Sequence, residues 1–313
     1  MKKVRLGILG IGNMGSGHIQ NIQKGLCPEI QLSAVADWDL SRIQWAEENI
    51  DSAVLKFASA EEMMDSGTID AILIAVPHYD HPKYTISALR KGIHVMCEKP
   101  AGVYTEQVLE MNREAEMHSD LIFGMMFNQR TNCIYRKMRE LVQSGKYGQI
   151  RRTSWIITNW YRPQAYYDSG NWRATWSGEG GGVLLNQCPH NLDLWQWICG
   201  MPVKVECHMK FGKWHDIEVE DDVTAYVEYA NGATGTFITS TGDTPGTNRF
   251  EITMDGAKLT AEDGKLRVWE LEQAEPEFSR QNIKAFGTPA YTLIEPETDG
   301  KNPQHAGVLN AFA

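Results

Sequence analysis

Val4-Arg5-Leu6-Gly7-Ile8-Leu9-Gly10-Ile11-Gly12-Asn13-Met14-Gly15 decides how the first third of the chain folds. The run from Leu6 to Leu9 is short and uncharged, as a strand buried on both faces of a parallel sheet must be. The glycines after it have the spacing G-x-G-x-x-G, and a helical stretch follows them. Strand, glycine turn and helix in that order are the phosphate-binding turn of a dinucleotide site. Gly10 permits the tight turn, Gly12 lets the backbone approach a pyrophosphate, and Gly15 lets the helix pack closely on the sheet. Gly10, Gly12, Asn13, Met14 and Gly15 are therefore the expected phosphate contacts, with the helix N-terminus supplying N–H donors and partial positive charge.

Working outward, Leu32-Asp37, Ala53-Phe57, Ala71-Val76, His94-Cys97 and Leu121-Phe127 repeat the strand pattern. Amphipathic segments such as Ser41-Asn49 and Pro82-Lys91 lie between them, and Ser59-Ala60-Glu61-Glu62 has capping-box spacing. Strict alternation predicts a doubly wound α/β domain, a Rossmann sheet, over residues 1–125. Asp37 ends the second run, 22 residues after Gly15. A carboxylate there accepts both ribose hydroxyls and repels a 2′-phosphate, so NAD is expected in preference to NADP.

The pattern changes over residues 126–313. Thr131-Ser144 reads as a helix and Gln149-Tyr161 as a long strand. Gly180-Cys199 reads as a second helix, stopped by Gly200 and Pro202 and kinked by Pro189. From Val203 onward, alternating runs flank Asn231-Gly232, Asp255-Gly256 and Asp263-Gly264, each a tight-turn signal. The expectation is an α+β domain with a large, mostly antiparallel sheet, whose Thr224-Ser240 face suits a homodimer or homotetramer. The last residues, His305-Ala313, read as an amphipathic helix just beginning: either a short docked helix or the start of a further segment, the second being favoured.

With 30 Lys+Arg against 40 Asp+Glu, the chain carries a formal charge of −10. That balance argues against nucleic acid as the main partner, because phosphate contacts need a basic face. Six scattered cysteines with no C-x-x-C pair suit reduced thiols, and neither a disulfide framework nor a metal site is expected. No apolar run approaches a membrane span. The basic tip Met1-Lys2-Lys3 superficially suggests a leader, but the apolar run breaks at Gly12-Asn13 without a cleavage pattern. A cytoplasmic protein is the expectation.

Gly92-Ile93-His94-Val95-Met96-Cys97-Glu98-Lys99-Pro100, taken with the glycine motif and Pro77-His78-Tyr79-Asp80-His81, resembles the glucose–fructose oxidoreductase / inositol dehydrogenase / MocA family. The resemblance implies NAD(P)-dependent chemistry on a sugar, cyclitol or related polyol. It implies a Glu98-Lys99 pair near the nicotinamide ribose and substrate, often with a cis Lys-Pro bond, and puts Pro77 and His81 at the cofactor. Independently, Lys99 stands at the carboxyl end of a strand, where doubly wound sheets bind ligands, and its ammonium can stabilise charge on a reacting oxygen.

Asn186 and His190 are four apart, on one face of the expected helix, with Asp193 close to it. The pattern resembles the family's Asp-x-x-x-His, whose histidine commonly accepts the proton, with an amide at 186 where many relatives have the acid. His190 and Lys99 are thus the catalytic candidates, and Asn186 and Asp193 candidates for substrate. Trp155, Trp160, Tyr161, Tyr166, Tyr167, Trp172 and Trp176 crowd one segment, and exposed aromatic faces such as Tyr161 and Trp172 stack on sugar rings. Packing is the better reading of Trp155. Asn171-Trp172-Arg173 resembles an element with which relatives reach the cofactor, which adds Trp172 and Arg173 to that surface. The leading expectation is an NAD-dependent dehydrogenase of a secondary alcohol in a sugar or cyclitol. Its rivals are an NAD-dependent glycosidase working by transient ring oxidation, and a non-catalytic sensor of sugar or NAD.

Overall fold

The expected strands pair as a six-stranded, wholly parallel sheet: Val4–Leu9 (β1), Ile30–Ala36 (β2), Leu55–Phe57 (β3), Ala71–Ile74 (β4), His94–Cys97 (β5) and Phe123–Met125 (β6). Their order is β3-β2-β1-β4-β5-β6. The computed structural model describes residues 3–313; Met1 and Lys2, the tip of the opening stretch, lie outside them. Helices Asn13–Gln23 (α1), Leu40–Asn49 (α2), Ala60–Asp65 (α3), His81–Arg90 (α4) and Thr105–Met117 (α5) connect the strands. Leu6, Ile8, Ile72, Leu73 and Ile74 are wholly buried, each stabilising the fold by about 1.5–3 kcal/mol. Local signals agree: Ser59 Oγ accepts from Glu62 N at 3.2 Å, and Asp39 Oδ1 from Ser41 N at 2.9 Å. Strand order reverses between β1 and β4, so the loops after them open at a switch point, the usual ligand crevice of such sheets.

The second unit runs from Gln129 to Asn302. It comprises Cys133–Gln143 (α6), Ile150–Ile157 (β7), the single turn Gln164–Tyr167 (α7), Pro189–Cys199 (α8), Lys204–Phe211 (β8), Glu220–Glu228 (β9), Thr234–Ser240 (β10), Asn248–Met254 (β11), Ala257–Glu262 (β12), Lys265–Leu271 (β13), Glu275–Gln281 (α9) and Tyr291–Ile294 (β14). The eight strands lie in the order β14-β13-β12-β11-β7-β10-β9-β8, antiparallel except between β7 and β10. Asn231-Gly232 turns β9 into β10, with Gly232 at φ +84°. Met138 of α6 and Leu194 and Ile198 of α8 share the sheet's core with Trp155, Phe237 and Phe250. Trp155 stacks on Phe250 with ring centroids 4.2 Å apart, so packing is its role.

One boundary differs from the sequence reading. Gln304–Phe312 (α10) buries Ala306, Leu309 and Phe312 in the core that contains Leu6, Ile8 and Ile19. Residues from Pro303 onward therefore belong with the first unit, which otherwise extends to Asn128. Three apolar residues at threefold spacing dock this tail as a helix. Among the described residues, no helix is long and apolar enough to cross a membrane, and the six cysteines are free thiols.

Candidate active site

In the first unit the glycine turn has the properties its sequence requires. Gly10 sits at φ +90°, and a side chain there would meet the Ala75 carbonyl oxygen at 2.5 Å. At Gly15 a Cβ would lie 1.8 Å from the Gly10 oxygen, so helix and turn touch only because it is absent. Gly12 is different: nothing lies within 4 Å of its missing Cβ. It stands at the N-cap of α1, which has no side-chain cap and no acid in its first turn. Open space in front of uncapped amides fits a pyrophosphate, and a side chain at residue 12 would fill it. Asp37 is 7% exposed; its Oδ2 accepts from Ile11 N at 2.7 Å and its Oδ1 from Asp39 N at 2.9 Å. The acid thus pins the glycine turn, and each oxygen keeps a lone pair for a ribose hydroxyl.

The loop after β4 and the end of β5 are tied to each other. His81 is 1% exposed, with Nδ1 2.6 Å from the Pro100 oxygen and Nε2 2.9 Å from the Val76 oxygen. Burial pushes its imidazole pKa down, against the pull of the two carbonyls. The sequence reading placed His81 at the cofactor; the structure sets both its nitrogens against backbone carbonyls, to one of which a neutral ring can donate. The Lys99-Pro100 bond is cis, and Pro77 leads into the short turn His78–Asp80. Glu98, also expected at the cofactor, is 4% exposed and turned inward: Oε1 lies 2.7 Å from His18 Nε2, and Oε2 accepts from Lys99 N at 3.2 Å. Burial works to raise its carboxyl, but the hydrogen bond and charge of His18 hold it below the usual range. Lys99 is half-buried.

In the second unit the expected helix is shorter. Residues 180–188 are turns, and Pro189 is the first residue of α8, where it satisfies helix geometry without a kink. Three glycines disfavour helix, and the local amides go elsewhere. Gly182 N donates to Glu220 Oε2 at 2.9 Å and Leu184 N to Glu220 Oε1 at 3.0 Å. A side chain at Gly182 would lie 2.0 Å from the Glu220 carbonyl, so the glycine permits this approach to β9. His190 is the second residue of α8 and half-buried; Asn186 lies before the helix, so the shared-face argument does not hold. The Asn186 amide donates to Tyr166 Oη at 3.3 Å and also to Glu179 Oε1.

Asp193 departs from its expected contact with substrate. It is 5% exposed, and Arg130 grips both its oxygens at 2.6 and 2.8 Å. Arg173 is likewise held within its own loop: it donates to Tyr166 Oη at 3.0 Å and lies over the rings of Trp172 and Tyr166. Tyr161 and Trp172 present exposed rings, at 45% and 44%. Sequence reasoning missed His18, Arg130, Glu179 and Glu220. Two had signals: His18 follows Gly15 by three on the buried face of α1, and Glu179 immediately precedes the glycine triplet.

Residues 4–125 match the family model described as oxidoreductase family, NAD-binding Rossmann fold, and residues 135–260 match the GFO/IDH/MocA C-terminal domain. An inositol 2-dehydrogenase of Leifsonia xyli is 28% identical over 73% of this chain and 64% of its own length. One from Corynebacterium glutamicum is 26% identical over 74% and 65%. The chain thus spans less than two thirds of the length of these curated relatives. Among solved structures, a WlbA dehydrogenase from Chromobacterium violaceum, in complex with NADH and UDP-GlcNAcA, is 26% identical, with a TM-score of 0.79 over 90% of this chain and 81% of that one. Levoglucosan dehydrogenase with NADH and levoglucosan, at 16% identity and a TM-score of 0.81 over 99% and 88%, shares the fold.

Proposed function

Because the chain belongs to the Gfo/Idh/MocA oxidoreductase family, we propose that it is an NAD-dependent dehydrogenase acting on a secondary alcohol of a sugar or cyclitol. The observation that carries the cofactor half is the open space at Gly12 before the uncapped start of α1, with Asp37 fastened to the same turn. Asp37 supports NAD over NADP, since its carboxylate would face a 2′-phosphate. The relatives' substrates, inositol by name and a nucleotide sugar acid by complex, support a polyhydroxylated substrate.

Bound NAD would supply the acceptor for the hydride of the carbinol carbon. Lys99 donates a hydrogen bond to the alcohol oxygen and stabilises negative charge as its proton departs. His190 accepts that proton, so the alcohol becomes a ketone and one proton is released. Asn186 holds a neighbouring hydroxyl, and Tyr161 and Trp172 offer ring faces to the C–H side of the substrate. Self-association through the β9–β10 face, where Thr224 and Tyr226 are exposed, belongs to the same proposal.

The test is NADH formation across a panel of sugars and cyclitols, repeated with Lys99→Ala and His190→Ala. Each variant is expected to lose about 10²–10⁴-fold in kcat while its NADH dissociation constant, read by fluorescence, stays put. Turnover within threefold of wild type in Lys99→Ala defeats the reading. Glycoside cleavage without net NADH favours the glycosidase instead.

A further inference from the structure

Helix α1 does more than present amides. Its sixth residue, His18, is 1% exposed and sits on the helix face that also buries Gly15 and Ile19. The ring is aimed at the end of β5, where Nε2 meets Glu98 Oε1 at 2.7 Å. From α10, His305 stands edge-on to it, with centroids 5.2 Å apart and planes at 84°. Asn128 Nδ2 lies 3.0 Å from His305 Nε2. An amide N–H can only donate, so His305 accepts there and is neutral. Burial pushes its pKa down, with His18 and Lys99 adding to the effect and Glu98 opposing it.

Glu98 is the anion at the centre of this cluster. It faces His18 from α1, His305 from α10, His81 from α4, and on its own strand end the Cys97 thiol, which burial pushes up to about 12, and the Lys99 ammonium. A second carboxylate oxygen holds the Lys99 backbone N–H. The charge of Glu98 therefore acts on Lys99, and His18 keeps that charge in place by donating to it where both side chains are buried. Among the described residues no group of three or more His, Cys, Asp or Glu side chains is arranged to hold a metal ion.

We propose that His18 is a positioning residue that acts through Glu98 to keep the Lys99 side chain protonated and fixed. The role rests on Lys99 serving as proposed above, but its electrostatic part is measurable without knowing the substrate. Replacing Glu98 by Gln removes the anion, and Lys99 should then release its proton at lower pH. Replacing His18 by Leu takes the donor from Oε1 and leaves only the Lys99 N–H on Oε2, which raises the proton affinity of the carboxylate and weakens its hold on Lys99 in the same direction. His18→Gln restores a donor and should restore the hold. His305→Leu removes a neutral neighbour and should leave the Lys99 midpoint near its wild-type value.

The experiment is competitive labelling of lysines by a small amine-reactive reagent across pH, with Lys99 followed by peptide mass spectrometry. Thermal unfolding establishes that each variant is folded, and NADH titration establishes that its dinucleotide turn is intact. Glu98→Gln and His18→Leu are expected to move the Lys99 labelling midpoint down by about one pH unit or more, while His18→Gln labels as wild type. A midpoint unmoved in Glu98→Gln overturns the proposal, as does a shift in His18→Gln equal to that in His18→Leu. If a His18 variant does not fold, Glu98→Gln decides alone. An active Lys99→Ala enzyme defeats the proposed function and leaves the labelling result standing; an inactive one with an unmoved Glu98→Gln midpoint defeats only this inference.

Discussion

The side-chain amide of Asn186 donates to Glu179, a carboxylate that is 2% exposed and also takes the Ala174 N–H at 2.7 Å. The acid that the motif lacks at residue 186 thus arrives seven residues upstream. An aspartate at 186 would face Glu179 as a like charge. Two carboxylates sharing one site cannot both ionise readily, so one pKa rises. In Asn186→Asp the folded state should bind a proton more tightly than the unfolded one. Its stability is then complete below the ordinary carboxylate range and falls as pH rises through the raised value. We expect a loss of about 2 kcal/mol at neutral pH, recovered on acidification. Thermal unfolding at several pH values checks this, and a uniform loss counts against it.

Asp193 and Arg130 make the second test. The acid is nearly inaccessible, with a side chain 3% exposed, whereas the guanidinium is 39% exposed. Removing the acid leaves a cation that water can reach, so the cost is well below that of breaking a fully buried pair. Asp193→Asn should lose about 1–3 kcal/mol of stability, with KM for the best substrate changed less than threefold. A large KM effect without destabilisation restores Asp193 to the substrate.

Much of the first unit was legible because its signals are local. Each strand is a short apolar run, and the Gly10–Gly15 contact and the Ser59 cap act within a few residues of themselves. The Gly180-Cys199 segment was misread because its first half answers to β9: Gly182 gives its amide to Glu220, 38 residues away. The partners that define the site lie further still, His18 and Glu98 at a separation of 80 and Arg130 and Asp193 at 63. No periodicity encodes such pairs. The aromatic count pointed to Tyr161 and Trp172, whose rings are exposed, but could not show that Arg173 is taken up by Tyr166.

Glu220 carries the third prediction. Burial pushes its carboxyl above the usual range, against the Gly182 and Leu184 amides that favour the anion. A raised folded pKa means a stabilising contribution complete below the unfolded value and lost as pH rises through the folded one. Glu220→Gln removes that slope and, with one acceptor oxygen for two amides, adds a pH-independent loss of about 1 kcal/mol. Wild type should lose Tm faster than the variant as pH rises above the ordinary glutamate pKa of about 4.3. Parallel curves sink the assignment.

The two glycines of the turn separate binding from folding. At Gly15 a methyl group would meet the Gly10 carbonyl at 1.8 Å, a backbone atom that cannot move aside. Gly15→Ala should therefore lower Tm by several degrees, as overpacking costs about 1–3 kcal/mol. At Gly12 nothing lies within 4 Å, and its φ of −72° suits any residue. Gly12→Ala should still fold, with a modest fall in Tm, because alanine at a helix N-cap is worse than glycine by about 0.5–1 kcal/mol. Its methyl group would instead occupy the space before the α1 amides, and NADH should bind at least about tenfold more weakly, a loss of about 1.4 kcal/mol. Calorimetry and fluorescence titration on the same two preparations separate the effects. NADH binding to Gly12→Ala with wild-type affinity would remove the pyrophosphate from this turn.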